Sequence, residues 1–234
     1  MLYCYILKHF YRYASEIESI FERFFSKCKG HNLPIASIGC GPASEFYGII
    51  DFIENNPKNN ITFTYTGLDV DDFWKPIWDY TEKNFPNAHF VKEDFFQYYT
   101  NHDKPEIIII NYMLSDMAKY NQPEIQTFLD NLLSFIESLP YGMIIFNDIT
   151  FESDGFDTAY GCLHYIDKNL RGKPLYEIMA GSYKKLPLKQ KYFGKRIPDS
   201  SIKMPITKIP FDIEPFSVCG SLQYIIIKHR TTKA

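Results

Sequence analysis

The feature that most constrains the fold is a regular alternation of short apolar segments with amphipathic ones. The apolar segments have the length of strands and begin near Ile35, Ile61, Ala88, Ile107 and Gly142. Strands that alternate with helices predict a parallel sheet covered by helices on both faces. The predicted fold is therefore α/β, a doubly wound and mostly parallel seven-stranded sheet with an N-terminal helix. The pattern locates six of the strands, the last of them an antiparallel terminal strand at 221–228.

The predicted helices follow from the spacing of apolar residues. Residues Ile17 to Cys28 repeat at i, i+3, i+4 and i+7, which predicts one amphipathic helix. Ser44 is a candidate cap for a helix over 44–55, and Pro123 marks the start of another. A further helix is predicted over 158–170.

The chain of 234 residues fits one large domain. We expect an N-terminal helical extension at 1–32 and a single domain at 33–234. Within that domain, 168–215 is predicted to be a basic, loop-rich segment that binds substrate.

Composition excludes several classes of protein. No apolar run approaches the roughly 20 residues of a membrane-spanning helix, and charged residues interrupt the first thirty, so no signal-peptide core is present. The five cysteines lack paired spacing, which argues against a disulfide framework or a zinc site. These patterns favour a cytoplasmic protein without a metal.

Charge is distributed unevenly along the chain. Residues 31–167 carry 6 basic and 21 acidic side chains, whereas 168–208 carry 11 basic and 2 acidic ones. A concentrated positive segment attracts polyanions. A solvated lysine-rich surface loop explains the same pattern equally well.

Polar residues follow the predicted strands where ligands bind in a doubly wound sheet. Strand one ends in the glycine turn 39–44, strand two in Asp69, strand three in Asp94 and Phe95, and strand four in Asn111. Glycines allow close approach of the backbone to a ligand, and a carboxylate after strand two suits ribose hydroxyls. This ordered set predicts a cofactor that contains a nucleoside.

The glycine turn separates two classes of cofactor. The third position of a dinucleotide turn falls on Ser44 and is followed at once by the bulky acid Glu45, where the helix must pack closely on the strand, so NAD is disfavoured. Instead, the segment Gly39-Cys-Gly-Pro-Ala43 resembles the glycine turn of class I S-adenosylmethionine-dependent methyltransferases, with Ala43 in the third small position. The likeness covers roughly 33–150 and 219–229.

The resemblance implies a cofactor, S-adenosylmethionine, and its binding residues. It implies ribose on Asp69 and adenine beside Asp94 and Phe95. The full set of implied cofactor residues is Gly39, Cys40, Gly41, Pro42, Asp69, Val70, Asp94, Phe95 and Asn111. The sequence departs from the family pattern in two ways. Ser37 stands where the family often has an acid, two residues before the first glycine. Gly39 and Asp69 are 30 residues apart, whereas the usual interval is about 20.

The same resemblance implies that the acceptor binds after strand four. Tyr112 is a candidate to stack on or steer the acceptor, and Asp116 is a candidate general base or helix cap. Asn147 and Asp148 resemble metal ligands of catechol-type members, but Asn111 stands where those enzymes have an acid.

The composition of the basic segment 168–208 indicates which class of acceptor the protein binds. Lysines and aromatics interleave there, a composition typical of proteins that bind single-stranded or looped RNA. The predicted substrate-binding residues are His164, Lys184, Lys185, Lys191, Tyr192 and Arg196. Methyl transfer to RNA is the favoured function. A small-molecule acceptor and a non-catalytic methyltransferase-like binding module are the alternatives, and a nicotinamide oxidoreductase is disfavoured.

Overall fold

The computed structural model describes residues 2–27, 32–120, 122–149, 158–178 and 221–230. Seven strands form one sheet in the order β3-β2-β1-β4-β5-β7-β6, with β7 antiparallel to both of its neighbours. The strands are β1 (Asn32–Ile38), β2 (Thr62–Asp69), β3 (Ala88–Lys92), β4 (Ile107–Asn111), β5 (Gly142–Asp148), β6 (Tyr176–Ile178) and β7 (Leu222–Lys228). The predicted mostly parallel sheet with an antiparallel terminal strand is confirmed.

One strand was not predicted. The edge strand β6 lies inside the segment 168–215 that the sequence indicates to be loop-rich, and Lys168 still belongs to a helix. Because β6 has only three residues, it carries too little alternation to be recognised. Residues 179–215 lie outside the described residues, so the loop-rich character of 168–215 stays a prediction.

Eight α-helices flank the sheet in the described part of the chain. They are α1 (Leu2–Tyr5), α2 (Tyr11–Phe24), α3 (Ser44–Asn55), α4 (Lys75–Asn84), α5 (Phe95–Tyr98), α6 (Leu114–Tyr120), α7 (Gln122–Ser138) and α8 (Ala159–Leu170). The α3 bounds match the prediction, but its cap does not. Ser44 is the first helical residue, Ala43 precedes it in the left-handed conformation, and the Ser44 hydroxyl donates to Glu45.

The N-terminal helix begins earlier and ends earlier than predicted. A π-helical turn, Ile6–Phe10, joins α1 to α2, and a 3-10 turn, Phe25–Lys27, follows α2. Ile17 and Ile20 are fully buried in the apolar cluster that includes α3. A Cβ on Gly48 of α3 would lie 2.3 Å from the Ala14 carbonyl oxygen, so a side chain there would force the two helices apart.

Alternation along the strands divides the core in two. Ile107 and Ile109 face α2, α3 and α4, whereas Ile108 and Ile110 face α6, α7 and α8. Both faces of β4 are buried, as expected for a central parallel strand. The helix α2 is thus part of the layer that covers one face. The division at residue 32 stays a prediction.

No helix within the described ranges combines the length and the apolar character needed to cross a bilayer.

Candidate functional site

The turn after β1 is held in a conformation that suits glycine. Gly39 and Gly41 have φ angles of +64° and +48°. A Cβ on Gly39 would lie 2.8 Å from the Met113 sulfur. The Trp78 Nε1–H donates to the Gly41 carbonyl at 2.8 Å, and the Cys40 N–H donates to the Leu68 carbonyl at 3.1 Å. These contacts fix the turn against β2.

Asp69 ends β2 and also anchors the turn. Its Oδ2 accepts from the Gly41 N–H at 3.0 Å, and its Oδ1 accepts from the Asp71 N–H at 3.1 Å. A carboxylate has about four acceptor positions, so the Asp69 carboxylate can still accept from a ligand hydroxyl. Burial raises the pKa of Asp69.

The residues after β3 form the next wall. The Asp94 Oδ1 accepts from the Gln97 N–H at 3.0 Å and caps α5. Phe95 is 2% exposed and packs against Tyr99 and Phe135 with centroid distances of 4.8 and 4.9 Å. The cap fixes the aromatic ring beside the cavity.

A cavity of about 790 Å³ lies over the carboxyl ends of β1 to β4. All nine predicted cofactor residues line it, and so do Tyr112 and Asp116. The sequence-predicted set is thus brought together in space, and the role of each residue stays a prediction. His164 lies exposed on α8 and does not line this cavity. The other five substrate-binding candidates lie outside the described residues: Lys184, Lys185, Lys191, Tyr192 and Arg196.

Tyr112 follows β4 in the left-handed conformation, with φ of +55°. Its ring stacks on Tyr13 at a centroid distance of 3.8 Å, and its hydroxyl donates to Glu16 at 2.9 Å. The ring is therefore covered by Tyr13 of the N-terminal helix, and the Arg12 guanidinium lies 5.7 Å from the ring centre. That Tyr112 stacks on or steers an acceptor stays a prediction.

Asp116 lies inside the first turn of α6 and does not cap it. The Ser115 N–H instead donates to the Asp148 Oδ2 at 3.1 Å. The cap interpretation of Asp116 is wrong, and Asp148 serves that role from β5. Burial raises the pKa of Asp116, which faces the cavity.

Asp148 predicts a pH dependence of stability. Burial raises the pKa of Asp148 to about 6, so the folded state favours the protonated form. Protonation of Asp148 therefore contributes to the free energy of unfolding. This contribution is complete below the pKa of the unfolded chain, near 4, and is lost as the pH rises through about 6. We expect the unfolding free energy of Asp148→Asn to gain on the order of 2 kcal/mol relative to wild type between pH 4 and pH 7. Denaturant titrations across that range measure it, and parallel pH profiles of the two proteins would contradict it.

Several cavity residues were missed by sequence reasoning. Tyr5 and Tyr13 reach the cavity from the N-terminal helix, and Trp74 reaches it from the turn before α4. The Tyr5 and Trp74 rings lie 5.4 Å apart, and His9 lies between the two tyrosines along the helix. We call Tyr5, His9 and Tyr13 the roof. Their spacing of four residues was the available signal.

Glu16 fastens the roof helix to the sheet. It is fully buried, its Oε2 accepts from the Tyr112 hydroxyl and the Asn147 Nδ2, both at 2.9 Å, and its Oε1 accepts from the Arg12 Nε at 3.0 Å. Asn147 in turn donates to Asn111 at 2.8 Å. The helix α2 is therefore tied to the ends of β4 and β5.

The lining of the cavity is acidic. Six carboxylates contribute to it: Glu45, Asp69, Glu93, Asp94, Asp116 and Glu124. The lining residues in the described ranges include no Lys, Arg or His. Across the same ranges, no three His, Cys, Asp or Glu side chains are grouped so that they could hold a metal ion. The site favours a ligand that carries positive charge.

No protein-family model and no curated protein matches the sequence. Solved structures do match. A Listeria monocytogenes protein described as a candidate class I S-adenosylmethionine-dependent methyltransferase is 15% identical with a TM-score of 0.54, and the alignment covers 94% of this chain and 61% of that one. The plantazolicin methyltransferase BpumL, solved with a pentazolic desmethylPZN analog and SAH, is 17% identical with a TM-score of 0.51, at 95% and 86% coverage.

The chain has the class I methyltransferase fold. This fold explains why the polar strand ends converge, because the carboxyl ends of its parallel strands share one edge of the sheet. It also accounts for β7, which enters antiparallel beside β5. The chain differs from the usual pattern of the glycine turn at Ser37, whose hydroxyl donates to Glu45.

Proposed function

We propose that the protein is an S-adenosylmethionine-dependent methyltransferase that binds its cofactor in the acid-lined cavity. The observation that carries this proposal is the convergence of the glycine turn, Asp69 and Phe95 on a cavity without basic lining residues in the described chain. S-adenosylmethionine bears a sulfonium, an ammonium and one carboxylate, so its net charge is positive. The similar BpumL structure contains SAH.

The same charge argument disfavours NAD. A dinucleotide brings two phosphate charges to the turn after β1, where binding sites supply free backbone N–H groups and a small third residue. In this chain the Gly41 N–H already donates to Asp69, and the third position, Ser44, is followed by the buried acid Glu45. An anion placed there would face carboxylates.

Different residues of the chain have different roles in methyl transfer. When bound, S-adenosylmethionine supplies a methyl group already activated by the sulfonium, so alignment and exclusion of water are the main tasks of the protein. Asp69 holds the ribose, and Phe95 borders the adenine. The roof covers the opposite side and keeps water from the reacting atoms. Asp116 faces the cavity and, when ionised, takes a proton that the acceptor releases.

We propose a small acceptor that is neutral or positively charged. The six carboxylates of the lining repel phosphate groups, and the roof limits access from above. The predicted RNA acceptor rests on basic residues outside the described chain. Three basic residues of that segment are described, and two of them pair with acids: Arg171 with Asp167 and Lys173 with Glu137. RNA affinity that falls steeply with salt would favour RNA instead.

Calorimetric titration of the full chain tests the cofactor. We expect S-adenosylmethionine and S-adenosylhomocysteine to bind and NADH not to bind. Binding of NADH alone would replace the proposal with an oxidoreductase. Binding of none of the three would leave a module with this fold but without the activity.

A further inference from the structure

Glu45 is a buried acid that the chemistry above does not use. It lies one residue after the start of α3, is 1% exposed, and lines the cavity beside the glycine turn. Its carboxyl group accepts hydrogen bonds from Ser37, from Ser44 at 3.1 Å and from Tyr65 at 3.2 Å. It is therefore held in one place by three elements, β1, α3 and β2.

All three of these donors are neutral hydroxyl groups. In the described part of the chain, no Lys, Arg or His pairs with Glu45. A buried carboxylate without a cation is costly, and burial raises the pKa of Glu45 accordingly. A cationic group delivered by a ligand would stabilise the ionised form.

The position of Glu45 in the cavity indicates which part of the cofactor lies beside it. Asp69 at the end of β2 and Phe95 after β3 account for the ribose and the adenine, so the methionine part extends the other way, across β1 toward β4. Glu45 lies on that path, because Asn111 at the end of β4 donates to Ser44 at 3.3 Å. The sulfonium faces the acceptor, which leaves the ammonium as the cation available to this carboxylate.

We propose that Glu45 binds the α-ammonium group of the methionine part of S-adenosylmethionine. The inference rests on the proposed cofactor. It also accounts for the departure at Ser37: the acid absent from β1 is supplied by α3, and the Ser37 hydroxyl orients it.

Two ligands separate this role from general support of the site. S-adenosylhomocysteine carries the ammonium, whereas 5′-methylthioadenosine keeps the adenine, ribose and thioether and lacks the amino-acid part. We expect Glu45→Gln to weaken binding of S-adenosylhomocysteine by about ten- to hundredfold in calorimetric titrations. Its affinity for 5′-methylthioadenosine should stay within about twofold of wild type.

Glu106→Gln is the matched control. Its carboxyl accepts from the Tyr141 hydroxyl at 2.6 Å and lies at the opposite end of β4, away from the cavity. We expect both ligands to bind this variant as they bind wild type. A second measurement avoids any folding defect of Glu45→Gln: wild type should bind S-adenosylhomocysteine about ten- to hundredfold more tightly than its analogue without the α-amino group.

Each outcome decides the proposal. Unchanged affinity of Glu45→Gln for S-adenosylhomocysteine, or an equal loss for both ligands, overturns the ammonium site and leaves the cofactor assignment standing. Equal binding of the deaminated analogue by wild type overturns it as well. If wild type binds neither nucleoside, the proposed function itself fails, and this inference fails with it.

Discussion

Replacing Glu16 with alanine is expected to lower the free energy of unfolding by about 3–5 kcal/mol, the usual cost of removing one partner from a buried ionic group. The substitution deletes the acceptor of three groups at once: Tyr112, Asn147 and Arg12. Tyr112 and Asn147 are buried, so water cannot easily replace the lost hydrogen bonds. Urea titration of the two proteins measures the difference.

The exposed residue Glu22 lies on the same helix and provides the control. Glu22→Ala should change stability by no more than about 0.5 kcal/mol. Glu16→Gln keeps one acceptor oxygen and should give an intermediate loss. If Glu16→Ala is as stable as Glu22→Ala, the network does not hold the roof helix to the sheet.

Replacing Asp69 with alanine is expected to weaken binding of S-adenosylhomocysteine by about 1.5–3 kcal/mol, or roughly 10- to 150-fold. Two causes act in the same direction. The carboxylate is the proposed acceptor for the ribose hydroxyls, and its Oδ2 also holds the Gly41 N–H at 3.0 Å. Without it the glycine turn loses one of its two hydrogen bonds to β2 and keeps the bond from the Cys40 N–H to the Leu68 carbonyl. Calorimetry at constant pH measures the affinity.

Asp71→Ala is the matched control, since Asp71 lies in the same loop but does not line the cavity. Its Oδ1 accepts from the Phe73 N–H at 3.0 Å, so the variant reports any effect of the loop alone. Asp69→Asn keeps one acceptor oxygen and separates charge from hydrogen bonding. Equal affinities of Asp69→Ala and wild type would rule out the ribose assignment.

Much of the sheet could be predicted because a buried parallel strand leaves a simple mark. The run Ile107–Asn111 is apolar until its last residue, since both faces of β4 are covered. The site followed from the same pattern: once the strands were placed, the polar residue after each of them had to lie at one edge. No side-chain detail was needed for Asp69, Asp94 or Asn111.

The roles of the roof and of Glu45 were harder to predict for a different physical reason. Tyr5 and Tyr13 continue the four-residue spacing of the helix, but that spacing does not tell a side chain that lines a cavity from one that packs in an apolar core. In the sequence, Glu45 is only a bulky acid that follows the glycine turn. The structure shows that the hydroxyl of Tyr65, twenty residues later, donates to its carboxylate. Contacts between distant segments leave no local pattern.

The tie between Glu16 and Asn147 also constrains the order in which the molecule is assembled. These two residues are 131 positions apart, and Arg23 reaches Gln223 across 200. Contacts at such separation close long loops and form late relative to local ones. A nascent chain that has emerged only as far as β4 has its glycine turn and Asp69 but lacks Asn147, which anchors the helix above them. The bond that ties the cover to β5 therefore forms only when synthesis has passed β5, whereas the packing of α2 on α3 needs no residue beyond Asn55.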